Sequence, residues 1–341
     1  VTDARVRGDA VKESREEGRR PALLEVQGLS THYVTARGTR VTRAVDDVSF
    51  TLRDGETLGI VGESGSGKST LALSLLRLLP RAARTVAGSV RFEGEDLLAK
   101  SETEMRHIRG KRIAMILQDP MASLNPLFTV GDQIAEPVRV HDGVSRRGAW
   151  DRARALLAAV RISAPNTRVR NYPHELSGGM RQRIVGAIAI SCGPRLLIAD
   201  EPTTSLDVTI QAQYLALLRE LQRAQRLALI FITHNLGIVA RMCDSVAVMY
   251  AGRIVEAGPV REIFNAPKHP YTRALIESIP RLADSNGRLT AIDGQPPDPA
   301  ALPGGCAFHP RCPVRLDKCA TERPRDSTVG AGHRTACWLV G

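Results

Sequence analysis

The chain has 341 residues, with 47 Lys and Arg against 36 Asp and Glu, a formal charge of +11. That length allows one large domain with an appendage, or two domains, and a core that buries about three quarters of the unfolded surface without covalent staples. Of the basic residues 41 are Arg, spread along the whole chain, and aromatics make up 4%, so no basic stripe with interleaved aromatics argues for nucleic acid.

No apolar run reaches the roughly 18 residues of a membrane span. The opening "VTDARVRGDAVKESREEGRR" is charged throughout and reads as a disordered arm over residues 1–20 rather than a signal peptide. The expectation is a soluble, cytosolic chain. In a reducing compartment thiols stay free, so a cysteine cluster reads as metal-binding or redox-active.

In chain order, "ALLEVQGLSTHYV" and "RAVDDVSFTLRDGETLGIVG" alternate apolar and polar residues, with an Asp54-Gly55 turn, and predict antiparallel strands leading into a buried one. "STLALSLLRLL", residues 69–79, has helical spacing and stops at Pro80. "GSVRFEGEDL" and "RIAMILQDP" read as strands, and residues from about 130 to 190 as mostly helical. The apolar runs "RLLIAD" and "LALIFITH", joined by the helical "TIQAQYLALLRELQRAQ", mark parallel strands buried on both faces. "SVAVMYAGRIVEAG" predicts a hairpin turning at Ala251-Gly252, and the Pro/Gly-rich "DGQPPDPAALPGG" a linker after about residue 280.

Strand and helix meet at "GESGSGKS", residues 62–69. Glycines let the backbone curl so that successive N–H groups point inward, and the following helix adds its positive end. Lys68 then reaches the β- and γ-phosphates of a nucleotide, and the Ser69 hydroxyl is placed for Mg²⁺. A Gly-rich turn that binds nothing is the bland reading, and the placement between an apolar strand and a helix speaks against it.

"LLIADE" ends an apolar strand in two adjacent carboxylates, where an α/β sheet presents its chemistry. Asp200 would hold Mg²⁺ through water and Glu201 would polarise the attacking water. "LSGGMRQR", residues 176–183, offers two glycines before a helix, which alone could be a simple cap.

The order decides: phosphate loop, Gln118 in "LQDP", "LSGG", "LLIADEPTTSLD", then His234 in "FITH". With that ordered set the chain resembles the ATP-binding subunit of an ABC transporter. The resemblance implies an α/β fold: a P-loop ATPase core of mixed sheet with an antiparallel subdomain over residues 21–265, and a helical subdomain at about 125–190. It further implies ATP on Gly62, Ser64, Gly65, Ser66, Gly67, Lys68, Ser69 and Thr70, with Tyr33 stacked on adenine. Gln118 would touch Mg²⁺ and relay to membrane subunits. Ser177, Gly178 and Gly179 would clasp the γ-phosphate of an ATP held by the opposite subunit. Asp207 would lie in the loop crossing that interface, and His234 would contact the γ-phosphate. Met180 stands where Gln is commonest, and Asn235 where Asp often follows the histidine; neither removes a phosphate-contacting group.

The tail crowds Cys306, Cys312, Cys319 and Cys337 behind the linker, with five, six and seventeen residues between successive cysteines. Structural zinc usually has a tighter pair, though His309 and His333 keep zinc open; four thiolates are also the ligand set of a [4Fe–4S] cluster, and spacing does not choose. "FNAPKHPYTRALIESIP" followed by "CAFHPRCP" and "CW" resembles the C-terminal extension of oligopeptide and dipeptide importer ATPases, here residues 266–341. Some members of that subfamily carry such a cluster. Four thiolates would then fold a tail with too little apolar content to fold alone, while Cys192 and Cys243 read as core residues.

The resemblance implies a second ATPase subunit, paralogue or self, and two transmembrane permease subunits at the cytoplasmic face of the membrane. A substrate-binding protein would act indirectly. Nickel or another small solute is an alternative cargo. A soluble ABC ATPase on nucleic acid or ribosomes is the alternative class; its two ATPase units or large insertions are missing here.

Overall fold

A computed structural model describes residues 22–34, 40–204, 206–279 and 291–340. The arm expected over residues 1–20, Ser205 and the start of the expected linker lie outside the described residues.

The strands are β1 (Ala22–Val34), β2 (Val41–Arg53), β3 (Thr57–Val61), β4 (Ala83–Phe92), β5 (Glu95–Asp96), β6 (Ile113–Ile116), β7 (Leu196–Asp200), β8 (Ala228–Ile232), β9 (Ser245–Tyr250), β10 (Arg253–Pro259), β11 (Ser327–Gly330) and β12 (His333–Thr335). The helices are α1 (Lys68–Leu75), α2 (Glu102–Ile108), α3 (Pro120–Ser123), α4 (Val130–Asp142), α5 (Arg146–Ala159), α6 (Pro165–Arg168), α7 (Gly178–Ile190), α8 (Val208–Gln225), α9 (Leu236–Met242), α10 (Val260–Asn265) and α11 (Pro270–Glu277).

Two sheets result, one of four strands ordered β2-β1-β4-β5 and one of eight ordered β11-β12-β10-β9-β3-β8-β7-β6. The first is antiparallel; in the second β6, β7, β8, β3 and β9 run parallel. The apolar runs of the parallel strands are explained by the period of two. Leu196 and Ile198 of β7 enter the core beneath the antiparallel sheet, while Leu197 and Ala199 enter the core shared with α4, α5, α7 and α8. The β9–β10 hairpin turns at Ala251 (φ +46°) and Gly252 (φ +84°), two successive left-handed residues that match the strand twist.

Two expectations change. Helix α1 ends at Leu75 rather than at residue 79, because Arg77 adopts φ +53° and the N–H of Leu78 bonds the carbonyl of Leu73 at 2.9 Å, a helix-stopping loop that acts before Pro80. The tail does not depend on thiols alone for its seat. Strand β12 extends the large sheet through β10, pairing Thr335 with Glu256, and Phe308 is buried against Tyr250 and Tyr271 with ring centroids 5.3 Å away in each case. The tail needs little apolar content of its own because it borrows the apolar face of the core.

Candidate active site

The carboxyl ends of β3, β7 and β8 sit side by side in the sheet, which gathers residues 62–69, 200–201 and 233–234 along one edge. The loop after β3 closes tightly. A Cβ on Gly62 (φ +153°) would lie 2.1 Å from the Met249 carbonyl oxygen, and one on Gly67 (φ +102°) 2.1 Å from that of Ala44. Only glycine fits either place. Helix α1 then starts with no side chain bonded to its first N–H groups, so its positive end is open toward an anion.

Lys68 is buried, and its Nζ curls back to donate to the carbonyls of Gly62 (2.8 Å) and Glu63 (2.9 Å). Burial pulls its pKa below the ordinary lysine value, opposed by the carboxylates of Glu201, Asp200 and Glu63. Asp200 is also buried, and burial raises its carboxyl pKa, with Glu201 adding to the rise while the Ser69 hydroxyl and Lys68 oppose it. Its Oδ1 has no hydrogen-bond partner. An orphaned buried carboxylate oxygen beside a serine hydroxyl is what a hard cation would satisfy, so Ser69 and Asp200 fit Mg²⁺ as oxygen donors, while the amide of Gln118 is held on the neighbouring Glu201.

Glu201 stands at the end of β7 with φ +45° and is gripped on three sides. Gln118 Nε2 donates to its Oε2 at 3.3 Å, Thr204 Oγ1 to the same oxygen at 2.9 Å, and His234 Nδ1 lies 3.3 Å from Oε1. Burial pushes this carboxyl up, but the bonds from Thr204 and His234 and the nearby Lys68 charge outweigh it and leave its pKa below the usual glutamate value. It is therefore held as an ionised base. His234 itself is more than half exposed, free to meet a ligand. Tyr33 Oη lies 3.4 Å from Thr70 Oγ1, which sets the ring beside the first turn of α1.

The structure does not bring every expected residue to this cluster. Ser177 caps α7, and Gly178 and Gly179 form its first turn. Asp207 caps α8, accepting from the N–H groups of Thr209 (3.1 Å) and Ile210 (3.0 Å). These two helix starts touch each other, since a Cβ on Gly179 would lie 2.8 Å from Ile210 Cγ2. Among the described residues no hydrogen bond or ion pair ties either start to residues 62–69. Asn235, a departure from the commoner Asp, caps α9 through its side-chain oxygen. Thr204 was missed in the sequence because a threonine in a "TTS" run carries no positional signal.

Also missed were two tail residues that reach the phosphate loop. The Glu63 N–H donates to Tyr271 Oη at 2.9 Å, and the Arg311 guanidinium grips the Glu63 carboxylate through two bonds of 2.7 and 3.0 Å.

Around the tail, Cys306, Cys312, Cys319 and Cys337 line one cavity of about 20 Å³ together with His269, Phe308, His309 and Trp338. All four thiols are free. Burial pushes Cys306 up to about 11 and also raises Cys312 and Cys337, and the neighbouring thiolates add to each rise. The [4Fe–4S] and zinc expectations are not met by an assembled shell: among the described residues no group of three or more His, Cys, Asp or Glu is spaced to hold an ion.

A glycine-lined phosphate loop, an open helix start, a buried lysine and two consecutive carboxylates at the end of one strand define a P-loop nucleotide hydrolase. The ABC transporter family matches residues 45–204, and the oligopeptide/dipeptide transporter C-terminal region matches residues 255–319. The chain is 53% identical over 318 residues to a probable peptide ABC transporter ATP-binding protein, y4tR, of Sinorhizobium fredii, covering 93% of this chain and 94% of that one. It is 47% identical over 316 residues to the dipeptide transport ATP-binding protein DppD of Escherichia coli, covering 93% and 96%. Among solved structures, the ATP-binding cassette MJ0796, a dimer in a post-hydrolysis state with ADP and Pi, superposes with TM-score 0.63 at 23% identity over 70% of this chain and 99% of that one. The cassette cbiO1 of Clostridium perfringens, part of the transporter complex cbiONQ, gives 0.60 at 26% identity over 72% and 91%. The chain belongs to the ATP-binding proteins of ABC transporters, in the branch that carries the oligopeptide/dipeptide transporter C-terminal region.

Proposed function

We propose that this chain hydrolyses ATP to energise import of oligopeptides or dipeptides, with residues 21–265 as the ATP-binding domain and residues 266–341 as its extension. The observation that carries the reaction is Glu201, an ionised carboxylate aimed by Gln118, Thr204 and His234 beside the buried Lys68.

The loop N–H groups, the start of α1 and Lys68 hold the β- and γ-phosphates. Ser69, Gln118 and Asp200 would hold Mg²⁺, which when bound would neutralise phosphate charge. Glu201 orients and polarises the attacking water, and His234 steadies the γ-phosphate. Tyr33 packs on adenine. The Ser177–Gly179 turn and the Asp207 loop serve the ATP of a second ATPase subunit, so closure needs two such chains. Loss of the γ-phosphate opens the pair, and the Gln118 segment passes the motion to two permease subunits at the cytoplasmic face of the membrane. An external binding protein delivers the peptide.

The four cysteines are the residues that would hold a [4Fe–4S] cluster, or zinc, whose contribution would be to staple the extension. Their convergence on one common cavity, with no disulfide between them, supports this reading.

The test is ATP hydrolysis by the chain assembled with its permease subunits in lipid, with and without peptide-loaded binding protein. Hydrolysis stimulated by peptide supports the reading; hydrolysis indifferent to peptide removes the cargo assignment, and no hydrolysis removes the reaction. For the cysteines, anaerobic purification should give about four irons per chain, lost in Cys312→Ser. One zinc per chain, or no metal, removes the cluster.

A further inference from the structure

Arg311 lies in the tail, one residue before Cys312, yet its side chain is 4% exposed and ends at the phosphate loop. All five of its N–H donors are used. Nη1 donates to Glu63 Oε2 (2.7 Å) and Tyr250 Oη (3.3 Å), Nη2 to Glu63 Oε1 (3.0 Å) and the Ile292 carbonyl (3.2 Å), and Nε to the Asp293 carbonyl (2.8 Å). Its guanidinium carbon sits 5.9 Å from the ring centroids of both Tyr250 and Phe308. This is a socket built for one guanidinium, since a lysine has neither the fork nor the plane.

Its partner is the second residue of the phosphate loop. Three groups of Glu63 are each committed: the N–H to Tyr271 Oη, the carbonyl to Lys68 Nζ and the carboxylate to Arg311. The same carbonyl therefore orients the lysine that the phosphates need. A loop that gathers an anion also contains an anion of its own, and within the described residues the only side-chain cation that an ion pair places on Glu63 is Arg311. Left unpaired, that carboxylate would repel the phosphates and compete for Lys68.

We propose that Arg311 is a positioning residue for ATP binding: it neutralises and orients Glu63 from the extension, so the phosphate loop is complete only when the extension is seated on it. The proposal rests on the reading of this loop as the ATP site. It implies that a state change in the tail reaches the nucleotide through one ion pair, and that the effect falls on nucleotide affinity rather than on the chemical step, because neither residue touches Glu201.

The experiment measures KM for ATP and kcat of the full-length chain for wild type, Arg311→Gln, Arg311→Lys, Glu63→Gln and the double variant Glu63→Gln/Arg311→Gln. Arg311→Gln should raise KM about tenfold with kcat within about twofold, the size expected when one nearby charge loses its counter-charge. Glu63→Gln in that background removes the offending charge and should bring KM back to within about threefold of wild type. A merely structural role for Arg311 in the tail would not be rescued by a change in the loop, so a double variant as poor as Arg311→Gln overturns the proposal, as does an unchanged KM in Arg311→Gln. If Arg311→Gln does not fold, Arg311→Lys, which keeps the charge without the fork, takes its place in the same cycle: a KM that stays near wild type, or that is raised and then lowered by adding Glu63→Gln, supports the proposal, and a raised KM that Glu63→Gln does not lower overturns it. A wild-type chain with no ATPase activity would instead remove the reading of the site, a result distinct from active wild type with unchanged variants.

Discussion

Glu201 and Lys68 belong to segments that each leave the carboxyl end of a parallel strand, and β7 and β3, which flank β8, carry them to one edge of the sheet. The cysteines of the extension are spread from residue 306 to residue 337 and converge only because β12 pairs with β10 and Phe308 enters the core. The nucleotide site is held by short loops on a rigid sheet, whereas the extension hangs on a few long-range contacts. Foremost among these is Glu256, fully buried, which accepts from the N–H groups of Lys268 (2.6 Å) and His269 (2.9 Å) and lies 2.7 Å from His333 Nε2. One carboxylate thus ties β10, the approach to α11 and β12 together. The contrast teaches that chemistry placed on strand ends tolerates local change in the fold but not in the residue, while the extension is vulnerable at a single buried group.

The sharpest separation of the two regions is Glu201→Gln. Loss of the water-polarising carboxylate should lower kcat by about 10²- to 10⁴-fold, while thermal unfolding of the chain moves little, because glutamine keeps the shape of the side chain and its amide oxygen can still accept from Thr204 Oγ1. Steady-state hydrolysis and a melting curve check both halves. Next, Glu256→Ala leaves His333 and two backbone N–H groups buried without their acceptor and should cost about 3–5 kcal/mol. Limited proteolysis should then cut the tail while residues 22–265 resist; a tail that stays protected would break the contrast.

Acid should act on the same region by a different group. His269 is buried and burial holds its pKa down at about 3, against 6.5 for the free side chain. Between those values the unfolded form binds more protons than the folded one, so stability is present above pH 6.5 and declines as the pH falls toward 3. Tail opening, followed by the exposure of Trp338 in fluorescence, should therefore begin below about pH 6.5. Glu201, with its pKa lowered, stays ionised through the upper part of that window, so its charge should not be what fails first. The smallest effect is expected at Gly179→Ala, whose new methyl would meet the Cγ2 branch of Ile210 at 2.8 Å and should cost about 1–3 kcal/mol in a denaturant titration.

The sequence by itself determined the parallel strands, the phosphate loop, the paired carboxylates and the order of motifs, because each is written within a few adjacent residues whose period or backbone freedom is local. The stop of α1 at Leu75 was not legible, since it depends on Arg77 taking a left-handed turn that its side chain does not announce. Only the tertiary structure decided that Thr204 and Gln118 converge on Glu201, that Glu256 latches the tail, and that Arg311 and Tyr271 close on Glu63 across more than two hundred residues of chain. Such contacts arise from sheet order and core packing, and no spacing along the chain encodes which distant side chains those bring together.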